Sequence, residues 1–196
     1  MCRLGECYGY QNVLYSLIQP VIEQSTSSTY TDLMHSRIFD PLHMERSSLG
    51  YEAFLETPNH AEPHVLTRKG WVKTRVKPSY YKILPAAGVN ASVADMSKWM
   101  LAQMGQYPES YSETVIDAVT TKRIKTRKEM RKRNWRSVLK NPHYGYGWRI
   151  YDMGGEELVY HGGSVAGFRS EVAYSKERDL AIVILLNAET RMGSDL

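Results

Sequence analysis

At 196 residues, 42% hydrophobic and 23% charged, with a mean hydropathy of −0.44, the chain can bury a core and has an ordinary soluble composition. Its longest apolar run, LAIVILL, is strand-length and too short to span a bilayer; the amino terminus, MCRLGECYGY, lacks the apolar stretch of a signal peptide. The net charge of +4 is local: residues 122–136 hold nine Lys or Arg against one Glu, or +8, so the rest carries −4, and the run reads as a solvated face rather than a nucleic-acid surface.

Cys2 and Cys7 lie close together at the start. A disulfide or a metal pair is open to them, but idle thiols are the plainer reading. From Asn12 an apolar pattern (Val13, Leu14, Leu17, Ile18, Val21, Ile22) repeats near the helical period, and Pro20 should kink or shorten that helix. A second helix is predicted from about Thr29, with Tyr30, Leu33, Met34 and Ile38 on one face. Pro41 is expected to push Asp40 out of helical geometry and end it.

Residues 50–90 carry prolines at 58, 63, 78 and 85 and read as loops, with one short hairpin around VLTRKGWVKTRV. Within them His60 and His64 flank Glu62, a polar loop rather than a zinc site. A third helix opens at Ser92, which can cap it with Asp95 three residues on. Met96, Trp99, Met100 and Met104 form its buried side. After the basic run the character changes to an antiparallel meander: YGWRIYD and ELVYHGG joined by MGGE, then FRSEVAYS and LAIVILLN joined by KERD. This divides the chain into residues 1–140, a helical lobe with long irregular connections, and residues 141–196, part of an antiparallel sheet.

Two stretches carry chemistry. In YQN, Tyr10 is a candidate proton shuttle if cations lie near it, and Asn12 can offer its amide to a substrate carbonyl. In HGGSVAGF, Gly162 and Gly163 follow His161 at the end of an apolar strand. There they leave room for a backbone or ligand, and an open strand edge can pair with a peptide-like substrate. The Ser164 amide is a candidate oxyanion donor. Each stretch alone has a plain structural reading: a buried tyrosine beside a helix start, and a glycine-rich turn.

The order YxN, PLHM, AAGVNASVADMSKW, YGYGW and HGGSVAGFRSEVAY…AIVILLN resembles the serine β-lactamase and penicillin-binding-protein superfamily, in particular its class C β-lactamase-related branch. The resemblance covers nearly the whole chain. It implies an α+β, β-lactamase/transpeptidase-like fold, incomplete at both ends, and acyl transfer or hydrolysis of β-lactam, peptide or ester substrates through a serine acyl-enzyme. Tyr10 and Asn12 match the family's Y-x-N element, and His161, Gly162 and Gly163 match its K-T-G element. Ser164 falls at the oxyanion-hole strand. No metal and no cofactor is implied.

The family places its nucleophile in S-x-x-K upstream of Y-x-N. Here that pattern occurs only as SYYK (Ser79 to Lys82), in a segment read as extended, and as SVLK (Ser137 to Lys140), both after Tyr10. The chain therefore reads as a C-terminal portion, inactive alone, with an N-terminal fragment as a possible partner supplying the nucleophile. It is expected to be cytoplasmic as written, although intact family members are often periplasmic or secreted. Two other readings are a pseudoenzyme that holds cell-wall peptides or β-lactams non-covalently and a protein that works through its basic surface.

Overall fold

The computed structural model describes residues 3, 5–131, 137–165 and 167–190. Cys2, residues 132–136 of the basic run and the last six residues lie outside them.

Pro20 divides the first helix as its chemistry requires. α1 (Asn12–Ser16) and α2 (Ile18–Thr26) meet at Leu17, because the proline nitrogen has no hydrogen to donate four residues back. Gln11 caps α1, its side-chain oxygen accepting from the amides of Val13 and Leu14 at 2.6 and 3.3 Å. Val13, Leu14, Leu17, Ile18 and Val21 are exposed.

α3 (Tyr30–Met34) begins at Thr29, whose hydroxyl accepts from the Asp32 amide, and runs on into a π-helical turn, His35–Phe39. The expectation for Asp40 fails. Its backbone stays helical (φ −67°, ψ −49°), its N–H bonding to the His35 carbonyl, so a wide last turn carries the chain helically into Pro41.

The two-residue β1 (Ser48–Leu49) precedes α4 (Tyr51–Glu56). The hairpin is present as β2 (His64–Thr67) and β3 (Gly70–Lys73). Next come a 3-10 helix, Pro78–Lys82, then α5 (Leu84–Ala87) and β4 (Val89–Asn90), which pairs with β1. SYYK is thus helical rather than extended: proline is well suited to a first helical turn, and its flanking by Pro78 does not enforce extension.

α6 (Val93–Gln103) starts as the sequence indicates, the Ser92 hydroxyl accepting from the Asp95 amide at 3.1 Å. The Asp95 carboxylate does not close a reciprocal capping box; it accepts from the Arg46 amide and the Ser47 hydroxyl, tying α6 to the loop before β1. Replacing Ser92 with Ala is expected to cost about 1 kcal/mol, read as a lower urea midpoint at unchanged slope.

After α7 (Glu113–Thr120) the chain enters a six-stranded antiparallel sheet. Its strands are β5 (Ile124–Lys125), β6 (His143–Tyr144), β7 (Arg149–Asp152), β8 (Glu157–Val165), β9 (Phe168–Ser175) and β10 (Leu180–Leu186), each beside its sequence neighbour. β5 comes from within the stretch assigned to the helical lobe. α6 lies on the sheet, with Met100 packed among Trp148, Ile150, Val159 and Tyr174. A second cluster joins Phe39, Leu42 and Met44 to Ala102, Tyr111 and Ile116, and Trp99 packs against both. Of the methionines at that spacing, Met100 is buried core and Met104 packs partly buried against it, whereas Met96 is half-buried and belongs to neither cluster.

Candidate active site

Strand register creates the site. β7 pairs with β8 only from Glu157 to Tyr160, whereas β9 pairs with β8 from Val159 to Val165. His161–Val165 therefore has β9 on one side and, among the described residues, no strand on the other. Side chains alternate along β8. His161 shares a face with Val159, whereas Tyr160, Gly162 and Ser164 share the other with their partners Arg149, Glu171 and Arg169.

Four rings gather at this edge. Tyr10 lies against His161, centroids 6.1 Å apart, and Tyr144 stands edge-on to both at 6.4 Å. Tyr8 packs on Tyr144 at 4.9 Å. The Tyr144 hydroxyl is 3.3 Å from His161 Nε2. The Arg149 guanidinium stands 5.9 Å from the Tyr10 ring centroid and 5.6 Å from that of Tyr144, within cation–π range. Tyr10 itself remains half exposed.

Burial and the nearby Arg149 charge lower the His161 pKa to about 4, so the imidazole is neutral near pH 7. Burial pushes Tyr144 the opposite way, with the neighbouring Tyr8 and Tyr10 hydroxyls adding to it, so it keeps its proton and can donate it to Nε2.

Fixed positive charge comes from two arginines instead. Arg149 pairs with Glu129 at 2.7 Å, and Arg169 pairs with Glu171 at 2.6 Å. Glu129 also accepts from the Tyr151 hydroxyl at 3.3 Å, and Glu171 accepts from the Tyr160 hydroxyl. Both arginines line a cavity of about 190 Å³ together with Tyr160, Gly162, Gly163 and Ser164.

The structure thus brings Tyr10 and His161 together and puts Gly162, Gly163 and Ser164 on the adjoining cavity. Asn12 is the exposed first residue of α1, and its side chain makes no hydrogen bond among the described residues. Gly162 lines that cavity, but the position a side chain would take on it is filled. A Cβ there would run into the Glu171 carboxylate and the Tyr160 hydroxyl, so this glycine lets β9 bring its acid in close. Lys140 donates to the Ser137 carbonyl, not to its hydroxyl, which leaves SVLK without an activated serine. Cys7 is disulfide-bonded, against the reading of idle thiols.

Sequence reasoning did not single out Tyr144, Arg149, Glu129, Arg169 or Glu171 for this site. The alternation in FRSEV could have put Arg169 and Glu171 on one face. The Arg149–Tyr160 neighbourhood depends on a register that the sequence does not display.

The β-lactamase family model matches residues 2–196. The chain belongs to the β-lactamase family. It is 26% identical over 188 residues to a D-aminopeptidase of Gluconobacter oxydans (strain 621H), covering 93% of this chain and 32% of that protein. It is 25% identical over 189 residues to Protein flp of Staphylococcus aureus (strain N315), covering 93% and 34%. An octameric penicillin-binding protein homologue from Pyrococcus abyssi superimposes with a TM-score of 0.81 at 26% identity, over 96% of this chain and 40% of that one. The D-amino acid amidase of Ochrobactrum anthropi SV3, crystallised with L-phenylalanine amide, shares the fold with a TM-score of 0.69 at 21% identity, over 92% and 50%. The chain therefore spans about a third of the length of these curated relatives. No helix among the described residues is long and apolar enough to cross a membrane.

Proposed function

We propose that these 196 residues form one wall of the active site of a serine acyl hydrolase. Its substrates would be amides or esters of D-amino-acid-containing peptides, and its nucleophile would come from an S-x-x-K segment outside these residues. The observation that carries this reading is His161 packed with Tyr10 and Tyr144 beside the unpaired Gly162–Val165 edge. An extended peptide can add to that edge through its backbone, with the Ser164 amide available to an oxyanion. Tyr10 and Tyr144 offer hydroxyls for proton transfer at the leaving group. The amide and D-amino-acid preference rests on the named relatives, a D-aminopeptidase and a D-amino acid amidase.

With His161 neutral and Gly162 without a side chain, a substrate carboxylate would have to rely on Arg149 and Arg169, each already paired with an acid. The complete enzyme should therefore favour peptides and esters over efficient β-lactam hydrolysis. The test is covalent labelling. A fluorophosphonate or penicillin probe should leave this chain unlabelled by itself and should label the complex formed when a polypeptide bearing the S-x-x-K segment is supplied. Stoichiometric labelling of the chain alone would overturn the proposal.

A further inference from the structure

The β2–β3 hairpin sets exposed apolar side chains beside cations. Its two-residue turn, Arg68 and Lys69, is held by the Thr67 hydroxyl, which donates to the Gly70 carbonyl at 2.9 Å and accepts from the Lys69 amide at 3.2 Å. Directly behind the turn, Leu66 and Trp71 face each other across the ladder, 64% and 47% exposed. Val72 is exposed as well. Residues 64–77 contain Arg68, Lys69, Lys73, Arg75 and Lys77 and no acidic residue. Lys73 is neutralised by Glu62 at 2.8 Å, whereas Arg68, Lys69, Arg75 and Lys77 have no carboxylate partner among the described residues.

We propose that this hairpin is a contact for an anionic lipid surface. Arg68 and Lys69 would meet the headgroups, and Leu66 and Trp71 would enter the boundary between headgroups and acyl chains. Charge complementarity selects an anionic partner, and the apolar pair distinguishes a bilayer from a soluble polyanion. An exposed indole and leucine beside cations gain free energy at a lipid interface, whereas a soluble acid would engage the cations and leave Leu66 and Trp71 in water.

The hairpin base also ties this surface to the candidate site. The His64 amide donates to the Gly167 carbonyl at 3.1 Å, and a Cβ on Gly167 would press on Pro63 and come within 2.9 Å of the His64 nitrogen. Gly167 lies in the turn between β8 and β9, so a docked hairpin holds the cavity-lining strand next to the membrane surface.

The experiment is cosedimentation of the full chain with phosphatidylcholine vesicles, with and without phosphatidylglycerol. Binding should require the anionic lipid and should weaken as salt rises. Arg68→Gln with Lys69→Gln should weaken it about 25-fold, at about fivefold for each charge removed. Trp71→Ser should weaken it without changing its salt dependence, and all three positions are exposed, so the far-ultraviolet spectrum should be unchanged. Failure to bind anionic vesicles, equal binding to neutral ones, or binding untouched by both variants would overturn the proposal. So would binding to soluble polyglutamate as tight as to vesicles and indifferent to Trp71→Ser, which would make this a polyanion contact.

Discussion

Replacing Glu129 with Ala is expected to destabilise the chain by about 3–5 kcal/mol, the range for breaking a buried ion pair from one side. Glu129 is the sole acid in the basic run and its side chain is only 11% exposed, with Arg149 at 17%. Burial works against the Arg149 charge, but Tyr151 and Glu129 outweigh it and hold the guanidinium protonated. Arginine has no neutral form within reach, so once Glu129 is gone the cation stays and stays buried. The cation–π contacts with Tyr10 and Tyr144 are worth about 0.5–2 kcal/mol each and do not replace the lost carboxylate.

The double variant Glu129→Leu with Arg149→Met separates this from a packing defect. Removing both charges together should cost far less than the sum of the single variants. Urea unfolding of the native chain, Glu129→Leu, Arg149→Met and the double variant, with Glu129→Ala beside them, is the measurement. A loss below about 1 kcal/mol for Glu129→Ala would put the pair in the class of surface salt bridges and refute the argument. The outcome bears on the site as well, because Arg149 is the cation nearest the Tyr10 and Tyr144 rings.

What the sequence displays and what it hides divide along physical lines. The Ser92 cap, the Pro20 break, the Trp99 and Met100 core face and the meander from Arg149 to Leu186 all follow from local rules: a hydroxyl before an apolar period, a missing donor, a periodicity. Tyr10 and His161 were legible only as parts of an ordered motif set, since neither YxN nor HGG is informative by itself.

The electrostatic partners were not legible. Glu129 and Arg149 are twenty residues apart and meet in a sheet where β5, just before Glu129, pairs with β6 and β6 with β7, which carries Arg149. A charge count sees nine cations and a stray acid in the basic run, with no sign that the acid is buried. The neighbour of Gly162 was hidden for a related reason. A glycine announces close approach, but only the β8–β9 register shows that Glu171 is a group that approaches it.

His161 should titrate near pH 4 in the folded chain, against about 6.5 when unfolded. The sign of the linked stability change follows from proton uptake. Above about pH 6.5 neither state binds the proton and the residue contributes no pH dependence. Between about 6.5 and 4 the unfolded chain takes up a proton that the folded one refuses, so stability falls as pH falls. Below 4 both states carry it, and the loss levels off on the order of 3 kcal/mol. Other groups titrate over the same interval, so the quantity to measure is the difference between the native chain and His161→Asn, in which this component is absent. The His161 ring proton followed by NMR gives the same pKa directly. A midpoint near 6.5, with matching pH–stability curves for the two proteins, would mean that the imidazole is solvated. A solvated His161 would remove the buried, Tyr144-bonded wall on which the acyl-hydrolase reading rests.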